Sequence, residues 1–331
     1  LAFFATIGLS ADFASLKKGG RVVGVFVLAV TGLLVIQNAM GIGLAKALGL
    51  NPLMGLLTGS ITLAGGHGTG AAWGATFSEK FGLASASELA MASATFGLVL
   101  GGLIGGPVAG LLIKRVQAPG LEQDKPRMPK GFEQPTKERS ITPFTFIETL
   151  ALISVSLLAG TLLNGALRET AFELPTFVCV LFVGVVLRNG LSALGLYQVF
   201  EREVSVLGNV SLSLFLAIAL MSLKLWDLAA LALPIFIILA AQTLVMALFA
   251  IFVTFRVMGS NYDAAVLAAG HCGFGLGATP TAIANMQAVT QRYGPSQIAF
   301  LVVPMVGAFF IDIINVVVIK LYLALPFFAV S

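Results

Sequence analysis

Charge is scarce in this chain. Asp, Glu, Lys and Arg make up only 10% of its 331 residues, and 58% are hydrophobic. Soluble domains carry about 25% charged residues, so the balance argues against a water-soluble fold. Strict apolar–polar alternation is also missing, which argues against an outer-membrane barrel. Cysteine is limited to Cys179 and Cys272, both in apolar or Gly-rich segments. Two such residues make neither a disulfide framework nor a metal site and read as small buried thiols. The basic residues lie in connecting loops rather than along one stripe, so the net charge of +4 is no nucleic-acid footprint. No charged leader or cleavage site accompanies the first apolar run, so it is not a signal peptide. The numbering is expected to begin inside the mature protein. A hydrolase reading lacks its motifs: there is no G-x-S-x-G and no H-E-x-x-H.

Long apolar runs are what the chain does have, several of them exceeding the ~20 residues that span a bilayer as helix. Eight spans can be drawn, at about 1–15, 22–46, 87–113, 144–166, 174–188, 204–223, 228–255 and 297–320. The one long polar stretch, 116–142, holds Pro119, Pro126, Pro129 and Pro135 and reads as a solvated linker. Two Gly-rich segments interrupt the spans, about 59–76 and 264–290. With the linker in the cytoplasm and strict alternation, Lys17, Lys18, Arg21, Lys114, Arg115, Arg188, Arg202, Arg256, Arg292 and the linker cations fall inside. Lys46, Lys80, Arg168, Lys224 and Lys320 fall outside, which matches the positive-inside bias. That bias survives only if both Gly-rich segments re-enter on the side they came from.

The two halves resemble each other. Gln37 precedes His67 by 30 residues, and Gln242 precedes His271 by 29. These are the two histidines of the chain, and each is followed by glycines. In this register span one matches six, two matches seven and three matches eight. A first half (1–115) and a second half (143–331) follow, and two helices are expected before Leu1. Five spans per repeat is an odd number, so the halves have inverted topology. Inverted repeats with broken backbone near the midplane are the architecture of secondary transporters.

Longer strings carry a family resemblance. Gly59–Trp73 reads GSITLAGGHGTGAAW, Ala268–Met286 reads AAGHCGFGLGATPTAIANM, Phe172–Phe177 reads FELPTF and Val303–Asp312 reads VPMVGAFFID. Across nearly all its length the chain resembles the bacterial sodium/glutamate symporters. The resemblance implies an all-α polytopic protein of the bacterial inner membrane, with two inverted repeats of five transmembrane helices and a re-entrant loop in each. It also implies L-glutamate uptake driven by co-transported sodium, alternating access of an elevator-like kind, and a homodimer in membrane lipid. Composition and spacing leave other readings open: a proton- or sodium-coupled symporter of another small organic anion, or a passive channel.

A membrane site for glutamate must replace the hydration of two carboxylates and one ammonium. No arginine lies near a span centre, so donors are expected from the Gly-rich breaks, where backbone N–H groups approach a ligand closely and helix starts add a positive dipole end. The substrate is therefore placed between the two loops, on Gly66, His67, Gly68, Thr69, Gly70, Gly273, Gly275, Gly277, Thr279, Thr281 and Asn285. The competing role for these glycines is tight packing. Sodium needs several oxygens. Asp312 lies well inside span eight, with Asn315 on the same face, and a carboxylate there is costly. Asp312, Asn315, Thr69, Gln37 and Gln242 form the candidate sodium set, though Asp312 can equally be structural and the glutamines can simply bridge helices. His67 and His271 can titrate or orient loop backbone. Trp73 and Trp226 read as interfacial.

Overall fold

The computed structural model describes residues 1–116, 141–167, 170, 174–221, 231–325 and 328. Nearly all of the 116–142 linker, together with Arg168, Phe172, Glu173, Lys224 and Trp226, lies outside the described residues. Every regular element among the described residues is helical. Five helices are long and apolar enough to cross a membrane: Gly20–Ala47, Ala86–Ile113, Pro143–Leu167, Thr176–Ala193 and Ala232–Val257. They coincide with expected spans two, three, four, five and seven.

The chain divides into two compact units, Leu1–Lys18 with Pro135–Ser222, and Gly19–Gln134 with Leu223–Ser331. Neither unit is a half of the sequence, because each takes elements from both.

The first unit holds α1 (Ala2–Ser10), α6 (Pro143–Leu167), α7 (Thr176–Ala193) and α8 (Glu201–Met221). Its core gathers Ala5, Leu9, Ile153, Val180 and Val204. Glycines let backbones touch: a Cβ on Gly8 would collide with the Leu181 carbonyl, and one on Gly160 would meet Val180. The expected first span, 1–15, is too long. Its helix stops at Ser10, and the bend that follows is held by Asn189, which accepts from the Phe13 N–H (2.9 Å) and donates to Ala11 O (2.7 Å). Beside it the buried Arg188 donates to Val199 O (2.8 Å) and Glu201 Oε1 (2.9 Å) and faces Asp12 at 3.7 Å. A buried cation needs such partners.

The second unit begins within α2 (Phe13–Ala47), which kinks at Gly20 (φ 59°, ψ −150°), a conformation open only to glycine. It continues with α3 (Pro52–Leu56), which runs into a π-helical turn (Leu57–Ile61), and then α4 (Gly66–Phe81) and α5 (Ala86–Ile113). After the linker come α9 (Ala232–Phe249) with a π-helical turn (Ala250–Thr254) and the short α10 (Phe255–Val257). The chain closes with α11 (Tyr262–Leu276), α12 (Thr279–Tyr293), α13 (Gln297–Met305), a third π-helical turn (Val306–Phe310) and α14 (Ile311–Leu323). Span eight is thus interrupted, with Pro304 inside α13 just ahead of the π turn.

The two Gly-rich segments are not loops. Each is a helical hairpin with a short break, α3–α4 and α11–α12. One reason they read as loops is their glycine content, which here serves close packing. On α5, Gly97, Gly101 and Gly105 recur every four residues and take up the second hairpin. A Cβ on Gly97 would collide with Leu276 O, one on Gly105 with the Asn285 amide, and one on Gly101 would lie 3.1 Å from Cys272 O and Gly273 O. Small-residue faces of this kind allow membrane helices to approach.

This packing makes a direct prediction. Gly97→Val should lower the detergent-solubilised protein's unfolding midpoint, by at least the ~1–3 kcal/mol typical of overpacking. Gly106→Ala, on the same helix with nothing within 4 Å of its Cβ position, should leave the midpoint unchanged or raise it. Equal effects of the two substitutions would remove the groove from the account.

Candidate functional site

The site is built from the two breaks. The first hairpin opens at Asn51, whose side chain accepts from the Leu53 N–H (2.9 Å), with Pro52 as its first helical residue. That is a favourable helix start. The helix is already interrupted at Gly59 (φ −100°, ψ −139°), and the Ser60 N–H freed there finds a side chain. Ser60 N–H donates to Asn38 Oδ1 at 3.0 Å, Ser60 Oγ donates to Asn315 Oδ1 at 2.6 Å, and Asn315 Nδ2 donates back to Ser60 O at 2.9 Å. Asn38, Ser60 and Asn315 are each 0% exposed. A Cβ on Gly59 would stand 2.7 Å from Asn38 Oδ1, which leaves room only for glycine. Thr62 Oγ1 donates to Leu57 O (2.6 Å) and Thr58 Oγ1 to Met54 O (2.9 Å). Asn38 and Ser60 were missed from sequence; their apolar surroundings gave no signal, and only the contact with the break reveals them.

The tip of the first hairpin follows at Ala64–Gly65. Gly66 then starts α4 at φ +65°, a left-handed conformation that favours glycine. The second hairpin opens at Asn261, which caps α11 through the Ala264 N–H (2.9 Å). Its base is pinned where the Tyr262 hydroxyl donates to Gly294 O and Ser296 Oγ donates to Asp263 Oδ1 (2.6 Å). Its break is Gly277–Ala278, and α12 starts at Thr279 with Pro280 next.

The two breaks meet: the Cβ position of Gly66 lies 3.4 Å from Gly277 O. No side chain caps the start of α4 or of α12, whereas Asn51, Asn261 and Ser296 cap α3, α11 and α13. Two uncapped helix starts therefore lie at the meeting tips. Helix starts carry unsatisfied N–H groups and a positive dipole end.

The residues singled out from sequence fall into groups. Gly66, His67, Gly68 and Thr69 form the first turn of α4, and Thr279 and Thr281 lie on the first turn of α12. The Thr69 and Thr281 hydroxyls have no hydrogen-bond partner among the described residues. Thr279 instead donates to Gly307 O (2.5 Å), in the π turn before α14. Gly70 packs on Thr62, Gly273 on the α12 backbone at Ala282, and Gly275 on Met246 and Leu33. Those three glycines pack closely. Asn285 spends its amide hydrogens on Gly101 O (2.8 Å) and Ala269 O (3.2 Å), so it is an acceptor at most and not the expected donor.

Gln37 Nε2 donates to Gly275 O (2.8 Å), and Gln242 Nε2 donates to the Gln37 carbonyl (2.7 Å). Both amide oxygens remain buried without a partner among the described residues. The Asp312 carboxylate is part-buried on α14 and has no ion-pair or hydrogen-bond partner among them. Asn315 is committed to Ser60. The histidines are not equivalent: His67 follows its break, while His271 precedes its own and is fully buried beside Phe26, Phe249 and Phe274, with Nδ1 2.9 Å from Thr254 Oγ1. Trp73 is 1% exposed and packs on Phe77, so it is a core residue rather than the expected interfacial one.

The Ser60–Asn315 pair is testable by a double-mutant cycle. Ser60→Ala and Asn315→Ala should each cost about 1–3 kcal/mol, since each leaves buried polar groups unpaired. The double variant should cost clearly less than the sum, as read by unfolding in detergent. Strict additivity would show that the two side chains act apart.

A family model described as "Sodium/glutamate symporter" matches residues 1–295. The "Sodium/glutamate symporter" of Escherichia coli (strain K12) is 69% identical over 329 residues, covering 99% of this chain and 82% of that protein. The protein of that name from Shigella flexneri matches equally, with 69% identity over 329 residues. The one from Haemophilus influenzae is 57% identical over 326 residues, 98% of this chain and 81% of its own length. No solved structure matches. The chain belongs to the sodium/glutamate symporter family.

Proposed function

We infer that this chain is a sodium-coupled symporter of L-glutamate, a transporter rather than an enzyme, in the bacterial inner membrane. One observation carries the reading: identity of 57% and 69%, over 98% and 99% of the chain, to proteins named sodium/glutamate symporter. The meeting hairpin tips support it physically. Uncapped helix starts suit carboxylates, and unpartnered oxygens suit a small cation.

We further propose that the halves 1–115 and 143–331 are inverted repeats and that the hairpins are re-entrant, entering from opposite sides. In support, one compact unit gathers α2, α5 and the first hairpin together with α9, α13, α14 and the second, which are the elements the repeat pairs. Alternating access would move that unit as one body, elevator-like. The 116–142 linker would lie in the cytoplasm, and the protein would form a homodimer.

Within the site, we propose that the substrate carboxylates bind the first turns of α4 and α12, through backbone N–H groups and the hydroxyls of Thr69 and Thr281. Sodium, a co-transported substrate, would draw on Asp312 and on the unpartnered oxygens of Gln37 and Gln242. Asn315 would hold the first hairpin in shape beside them.

Labelled glutamate uptake into proteoliposomes tests this reading. Wild type should accumulate glutamate above equilibrium only with an inward sodium gradient. Asp312→Asn should cut that uptake by about tenfold or more, the scale of one lost charged contact. Sodium-dependent uptake that survives the substitution removes Asp312 from the ion site. Accumulation that ignores sodium and follows protons or another anion replaces the reading itself.

A further inference from the structure

The first hairpin tip carries one ring nitrogen whose role the carboxylate contacts do not use. His67 sits one residue into α4, part-exposed, with Nε2 3.0 Å from Thr95 Oγ1 on α5. The single hydroxyl hydrogen of Thr95 points at Met91 O, 2.9 Å away. Thr95 therefore meets the ring as an acceptor, and Nε2 carries the imidazole proton. In the neutral ring Nδ1 is then an acceptor, and it has no partner among the described residues.

This matters because the tips are otherwise rich in donors. The starts of α4 and α12 present N–H groups, which suit carboxylates and repel a cation. A glutamate ammonium needs acceptors. Acceptors are available near the tips: Gly277 O, which approaches the Cβ position of Gly66 to 3.4 Å, and Nδ1 of His67, the next residue along α4.

Resting on the glutamate reading above, we propose that His67 Nδ1 and the Gly277 carbonyl bind the substrate's α-ammonium, and that Thr95 is the positioning residue that fixes the tautomer of His67. His67 thereby determines specificity for an amino diacid over a plain diacid. A diacid without the amine leaves the acceptors unpaired, and sites built around a substrate polar group reject analogues that lack it. The second hairpin has no counterpart, since His271 lies before its break and is sealed among aromatic rings.

The test compares L-glutamate with glutarate, which keeps both carboxylates and lacks the amine. Apparent affinities are read from the ligand-induced rise in unfolding temperature of the purified full chain in saturating sodium, a readout that needs binding but not transport. Wild type should prefer glutamate by about tenfold or more. His67→Phe and Thr95→Val should bring the ratio close to one, chiefly by weakening glutamate, and Thr95→Ser should restore it. A ratio that stays at the wild-type value in His67→Phe and Thr95→Val overturns the proposal, as does equal weakening of both ligands. A wild type that glutamate does not stabilise at all brings down the glutamate reading first, and that result needs no variant to be seen.

Discussion

A helix interrupted in an apolar environment must find new partners for the backbone groups it releases, because no water is there to take them. The second unit of this protein is organised around that requirement. Its first hairpin is broken at Gly59; the freed Ser60 N–H is taken by Asn38 of α2, and the Ser60 carbonyl, which also accepts from the Ala64 and Gly65 N–H groups, receives Asn315 of α14. The threonines beside the break turn back onto Met54 O and Leu57 O. Three elements distant in sequence are thereby fixed to one another by the needs of a single residue.

At the tips the same requirement is left unmet by protein side chains. The outer ends of the hairpins are capped by Asn51 and Asn261, but the inner helices start without caps. Helix starts left without a side-chain cap carry N–H groups that favour an anion, and that is the physical basis for proposing a site at the junction of Gly66 and Gly277 O. The Gln37 and Gln242 oxygens add unmet acceptors to the same unit.

Helix α5 links the hairpins mechanically. Thr95 holds the first through His67, while farther along the helix Gly97 and Gly101 receive the backbone of the second and Gly105 receives the Asn285 side chain. Side chains on that face would force the second hairpin outward. The glycines therefore act through absence of bulk, and Gly70, Gly273 and Gly275 likewise pack closely against their neighbours.

Much of this was legible in the sequence. Apolar runs of bilayer length located the five helices long enough to cross a membrane to within a few residues, because burial in lipid leaves a signal that depends only on composition. Family strings marked both hairpins. Glycine, however, has two uses with one letter. Close packing and open backbone look alike in sequence, so helical hairpins read as loops. Polar residues were equally ambiguous. Asn285 and Thr279 were seen as free donors, yet their hydrogens go to Gly101 O and Gly307 O, carbonyls far off along the chain. Whether a side chain is spent or available depends on what packs against it. A multi-span helical protein with two Gly-rich breaks, and its family, can be read from the order of residues alone; which polar groups at those breaks stay unpaired follows from packing, because hydrogen bonds are made between residues that the chain keeps apart.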